Sequence, residues 1–88
     1  MALVRVRGQL RKLASDQGEH EVDGATVVDV LRELERAQPA LAGWVLDERA
    51  RIRRHINVFV NGEPAGEAVE VAAGDRLDIL PAISGGAL

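Results

Sequence analysis

The chain of 88 residues, 9.5 kDa, has room for one domain only. It contains no cysteine, which excludes disulfides, thiol nucleophiles, iron–sulfur clusters and the usual structural zinc sites. Fourteen acidic against eleven basic residues leave a net charge of −3, which argues against nucleic acid, because neutralising phosphates needs a net positive footprint.

Leu3 to Arg7 alternates apolar and basic residues, with Val4 and Val6 on one face and Arg5 and Arg7 on the other, and reads as a strand. Ser15-Asp16-Gln17-Gly18 is rich in turn formers. A second strand over Glu19 to Val22 is expected to pair with the first as a hairpin, and Asp23-Gly24 turns again. Thr26 with Asp29 three positions on is the acidic variant of a capping box. Val27, Val30, Leu31, Leu34 and Ala37 then recur at helical spacing, with Arg32, Glu33, Glu35 and Arg36 on the wet side. Pro39 ends that helix near Ala37 or Gln38.

From Pro39 to Arg54 the pattern predicts a short helical turn and a connecting loop that pack Leu41, Trp44, Val45 and Ile52 against the core. Trp44 is read as a cover over the helix end, since aromatic residues dominate small cores. Ile56 to Asn61 is a strand, and Asn61-Gly62 a tight turn. Glu67 to Val71 is read as a short strand. Ala73-Gly74-Asp75 turns into a last strand, Arg76 to Leu80, which Pro81 stops for want of an N–H. The order β-β-α-loop-β-β-β predicts an α+β β-grasp (ubiquitin-like) fold: a mixed sheet of about five strands with one main helix across one face. Residues 1–81 form that domain, and 82–88 a flexible tail carrying Gly85-Gly86.

A domain this small buries only about 60–65% of its unfolded surface, so nearly every apolar residue is needed for the core. Little remains for a deep active site, and the expectation is that the chain is not itself an enzyme. No apolar run approaches the ~20 residues of a membrane span. The alternating start is unlike a signal peptide, so the expected location is cytoplasmic, with no membrane partner.

Several fragments in order resemble the MoaD/ThiS group of ubiquitin-like sulfur carrier proteins. These are Val4-Arg5-Val6-Arg7 followed by Leu10-Arg11-Lys12-Leu13, and Gly24-Ala25-Thr26-Val27 with Gln38-Pro39-Ala40-Leu41 at the two ends of the helix. Arg54-His55-Ile56-Asn57-Val58-Phe59-Val60-Asn61-Gly62 is similar to the central strand of members that serve cysteine biosynthesis. Ala73-Gly74-Asp75 and Leu80-Pro81-Ala82-Ile83-Ser84-Gly85-Gly86 match the final turn, strand and tail.

The resemblance implies that the carboxylate of Gly86 is the working group. A partner adenylyltransferase, similar to ubiquitin activators, joins it to AMP from Mg-ATP, and a sulfur donor converts it to a thiocarboxylate. The chain itself is expected to bind no cofactor and no metal. Ile83, Ser84 and Gly85 carry Gly86 into the partner, and the two glycines, lacking Cβ, suit a narrow channel. Ala87-Leu88 follow Gly86, so the expectation is a precursor cut between Gly86 and Ala87 by a JAMM-type zinc peptidase. A partner-docking patch is assigned to Leu80, Phe59, Val60 and Arg7. The final partner is a sulfur-accepting biosynthetic enzyme serving cysteine, molybdopterin, thiamin or a thio-metabolite.

Two other classes of function stay open: a ubiquitin-like modifier joined through Gly86 to lysines, and a β-grasp interaction module whose tail is never activated. His20 and His55 have no partner at ligand spacing and read as surface or loop-packing residues. Arg49, Arg51, Arg53 and Arg54 read as a solvated edge, or as a docking site for an acidic partner.

Overall fold

The computed structural model describes residues 1–81, and the alternation at the start of the chain becomes its first strand, β1 (Ala2–Val6). β1 pairs antiparallel with β2 (Glu19–Val22), and between them Gln9–Leu13 form the short helix α1, which buries Leu10. The sequence had placed only a turn there. The main helix α2 spans Val27–Ala37, as its periodicity predicts. A single 3₁₀ turn, Pro39–Leu41, follows it. β3 (Ile56–Val60), β4 (Glu63–Pro64) and β5 (Arg76–Pro81) complete a sheet of order β2-β1-β5-β3-β4. Only the β1–β5 pair is parallel. This is the predicted mixed five-stranded β-grasp. No described helix is long and apolar enough to cross a membrane.

Alternation along each strand puts one face of the sheet against α2. Val4, Val6, Leu77, Ile79 and Val58 from the strands meet Val27, Val30, Leu31 and Leu34 from the helix, and all are buried. The start of α2 is held from two sides. Thr26 Oγ1 accepts from Asp29 N–H at 3.4 Å, the predicted cap. The N–H groups of Val27 and Val28, which have no intrahelical acceptor, donate to the carbonyls of Val69 (2.9 Å) and Glu67 (3.0 Å).

Those contacts correct the expected strand over Glu67–Val71. The segment crosses the N-terminus of α2, meets it through one isolated bridge, Thr26 with Glu70, and spends its carbonyls as helix caps. The fourth strand is instead Glu63–Pro64, directly after the Asn61-Gly62 turn, with Pro64 at the sheet edge where a missing donor costs no ladder bond. Asn61 also ties the turn to β5. Its Nδ2 donates to Asp75 Oδ1 at 3.1 Å and its Oδ1 accepts from Arg76 N–H at 3.0 Å. The Ala72 N–H, and then Asn61, hold the Asp75 carboxyl below the usual carboxylate range.

Gly24 packs so closely on α2 that a Cβ there would lie 2.6 Å from the Val30 backbone nitrogen. Backbone at a helix start cannot yield as a side chain can. Gly24→Ala is expected to cost about 1–3 kcal/mol, read as a lower urea midpoint with an unchanged slope.

The connection from Ala42 to His55 folds as a narrow loop. Leu46 bridges Ile52, and Arg53 N–H donates to the Val45 carbonyl at 2.9 Å. Three carboxylates hold it from inside. Glu35 Oε2 accepts from the N–H groups of Val45 (3.1 Å) and Leu46 (3.0 Å). Glu67 Oε2 accepts from Ile52 N–H at 2.7 Å, and Asp47 Oδ1 from Arg49 and Arg51 N–H at 2.8 and 3.0 Å. The N–H donors of Arg51 and then Arg49 lower the Asp47 carboxyl from its ordinary range, and that of Ile52 lowers Glu67.

Trp44 departs from its predicted place. It is 55% exposed, and the helix end is covered by Leu41, Val45 and Leu46. Gly43, at φ +83°, turns the chain just before it, and the Glu35 clamp draws Val45 and Leu46 inward, leaving Trp44 outside. The histidines fall as read: His55 is exposed, and half-buried His20 donates from Nε2 to the Gln17 carbonyl at 2.8 Å.

Candidate functional site

Sheet register decides which of the predicted docking residues share a surface. The face away from α2 carries Leu3 and Arg5 of β1, Asp78 and Leu80 of β5, Asn57 and Phe59 of β3, and Pro64 of β4. Phe59 stands between Pro64 and Asp78, Asp78 lies next to Arg5 across β1, and Leu80 is opposite Asn57. Phe59 and Leu80 are therefore diagonal neighbours on adjacent strands, a spacing large side chains bridge. Both are half-buried.

Arg7 joins this surface at its edge. Its Nε lies 3.7 Å from Asp78 Oδ1, with side-chain exposures of 51% for Arg7 and 17% for Asp78. That Asp78 oxygen is buried and accepts no hydrogen bond among the described residues. Val60 does not join. Its register partner is Leu77, on the helix side of the sheet, where Val60 packs against the core.

The described chain ends at Pro81, at the same end of the sheet. Arg7 N–H donates to the Ile79 carbonyl at 3.1 Å, extending the β1–β5 pairing past Val6. Gly8 adopts φ +64°, and a Cβ there would lie 3.0 Å from Pro81 Cγ. A side chain at position 8 would thus press on the last described residue, while glycine accepts both the turn and the contact.

Beside this junction lies an open cleft of about 480 Å³, lined by Arg5, Val6, Arg7, Gly8, Arg11, Gly18 and Glu19. Glu19 Oε2 sits 3.5 Å from Arg5 Nε, and Arg11 Nε donates to the Asp16 carbonyl at 3.1 Å. Arg7 belongs to the predicted docking patch; its neighbours Arg5 and Arg11 do not, and their convergence with it depends on the turn through α1. Among the described residues, no group of three or more His, Asp or Glu side chains is placed to hold a metal ion. Ile83, Ser84, Gly85, Gly86 and Ala87 lie outside the described residues.

The described surface presents an apolar pair, Phe59 and Leu80, bordered by an ion pair and by a cleft lined with three arginines. Comparison with known proteins adds to this geometry. The sequence matches the profile of the ThiS family over residues 4–86. Small archaeal modifier protein 1 of Haloferax volcanii is 46% identical over 67 residues, 75% of this chain and 77% of that protein. Sulfur carrier protein CysO of Mycobacterium tuberculosis is 30% identical over 83 residues, 88% of this chain and 89% of that one. Among solved structures, a chain of the Amycolatopsis orientalis BexX/CysO complex superposes with a TM-score of 0.84 at 31% identity, covering 93% of this chain and 96% of that one.

Proposed function

The chain belongs to the ThiS family of ubiquitin-like carriers and modifiers, and from that membership we propose that it carries sulfur on the main-chain carboxylate of Gly86. The observation that carries this reading is the family match itself, which runs from the first strand through Gly86. The lack of cysteine fits it, because a thiocarboxylate needs no side-chain thiol. The protein is then a co-substrate and the chemistry belongs to its partners.

Residues follow Gly86, so its carboxylate first has to be released by cleavage of the Gly86–Ala87 bond, the work of a JAMM-type zinc peptidase. A partner adenylyltransferase then directs a carboxylate oxygen to the α-phosphate of Mg-ATP, expelling pyrophosphate and forming an acyl-adenylate. Hydrosulfide attacks the acyl carbon, a C–S bond forms, the C–O bond to AMP breaks, and AMP leaves with the electron pair. The thiocarboxylate is passed to a sulfur-accepting enzyme. Phe59 and Leu80, with Arg7 at the rim, supply the docking surface.

A second reading shares the activation step. The relative at 46% identity is named a modifier protein, and the same acyl-adenylate passed to a lysine amine ends as an isopeptide. Mass spectrometry separates the readings. A chain ending at Gly86, given the activating enzyme, Mg-ATP and hydrosulfide, is expected to gain the mass difference between oxygen and sulfur, while the chain continuing into Ala87-Leu88 gains nothing. Absence of the increment together with isopeptide-linked products selects the modifier reading, and charging of the uncut chain overturns the cleavage step.

A further inference from the structure

We propose that the loop from Trp44 to Arg54 is a second interaction surface, which takes an acidic protein surface with an apolar seat for the Trp44 indole. Arg49, Arg51, Arg53 and Arg54 are all exposed on this loop. Among the described residues none of the four guanidinium groups makes an ion pair within 4.0 Å, whereas Arg5, Arg7 and Arg36 each do. The carboxylates nearest in the chain are committed or outnumbered. Asp47 and Glu67 accept from loop N–H groups, and only exposed Glu48 remains at the tip. Four arginines without a direct ion pair, outnumbering the Asp47 and Glu48 of their own loop, thus stand on a chain whose net charge is −3.

The loop is also held in shape. The Leu46–Ile52 bridge, the Arg53–Val45 bond and the three carboxylates fix its backbone, so the exposed side chains start from a rigid frame. Binding then costs little ordering entropy beyond the side chains themselves. Trp44 and Arg54 lie one residue beyond the paired limbs at the same end, and Arg49 and Arg51 lie toward the tip. Exposed Trp beside Arg is the composition enriched at the energetic centres of protein interfaces. A phosphate backbone is the less suited partner, because residues 13–46 and 63–78 on either side of the loop carry twelve of the fourteen acidic groups.

Trp44 is the only tryptophan, so its emission reports on this loop. The probes are a short synthetic peptide alternating acidic residues with leucine, and a single-stranded oligouridylate, both near physiological ionic strength. The peptide is expected to change Trp44 emission saturably. The double replacement Arg51→Ser and Arg53→Ser is expected to weaken binding about tenfold. Trp44→Ala, followed by calorimetry, is expected to weaken it comparably, which a purely electrostatic patch would not show. Arg32→Ser, on the exposed side of α2, retains full affinity. These positions are exposed, and thermal melts confirm that the variants keep the fold. No saturable binding of the peptide, binding indifferent to the loop arginines or to Trp44, or tighter binding of the oligouridylate each overturn the proposal.

Discussion

Replacing Phe59 and Leu80 together by alanine is expected to weaken binding to the activating enzyme by at least about 30-fold, the weight of one interface hot spot of about 2 kcal/mol. Both side chains lie on the sheet face opposite α2, half-buried and diagonal to one another. Every fully covered strand residue, from Val4 to Ile79, belongs to the other face. Removing the pair therefore leaves the core intact, and the melting temperature should fall only modestly. Val60→Ala is the internal control. One residue from Phe59 in sequence, it faces the helix and packs on the core, so it is expected to lower stability and leave affinity unchanged. Titration calorimetry beside thermal melts reads both quantities. Equal loss of affinity in the two variants would refute the assignment of the outer face as the docking surface.

That contrast shows what alternation in a sequence conveys. Ile56, Val58 and Val60 were visibly one face and Phe59 the other, because strand side chains alternate. Which face turns outward depends on where the helix lies, and register settles it: Val58 pairs with Ile79, and Phe59 with Asp78. Elements governed by neighbours in the chain were legible. Thr26 caps α2 with Asp29, Pro39 ends it, and Asn61-Gly62 turns β3 into β4. Elements governed by distant partners were not. Residues 67–71 look like a strand, yet their carbonyls go to the orphan donors of α2. Arg5, Arg7 and Arg11 form a cleft only because α1 folds Arg11 back beside β1. Trp44 looks like core by its chemistry, and a glycine turn together with a carboxylate on α2 leaves it exposed. Gly85 and Gly86 were picked out by residue identity behind Leu80-Pro81; they lie outside the described residues, and the family match runs through Gly86.

Glu35 was the residue most thoroughly disguised, and its removal carries the second large expected effect. Helical periodicity puts it on the polar side of α2 with Arg32, Glu33 and Arg36, where an exposed glutamate contributes little. Instead one carboxylate oxygen accepts from two consecutive N–H groups, Val45 and Leu46, in residues only 0% and 4% exposed. Glu35→Ala strands both donors in a site with little access to water, at about 1–3 kcal/mol each where burial is complete. A net loss of about 2 kcal/mol is expected for this half-buried site, or roughly 8–16 °C in melting temperature for a domain this small. Glu35→Gln keeps an acceptor oxygen but loses the charge that strengthens such bonds, and should fall between Glu35→Ala and the unmodified chain. Hydrogen exchange at the Val45 and Leu46 amides gives the local readout: both should exchange faster in Glu35→Ala by more than the global loss accounts for. If the alanine variant melts with the unmodified chain and those amides stay protected, the loop is held by its apolar contacts alone. The rigid frame inferred for the Trp44 and arginine surface would then have to rest on Asp47, Glu67 and the Leu46–Ile52 bridge.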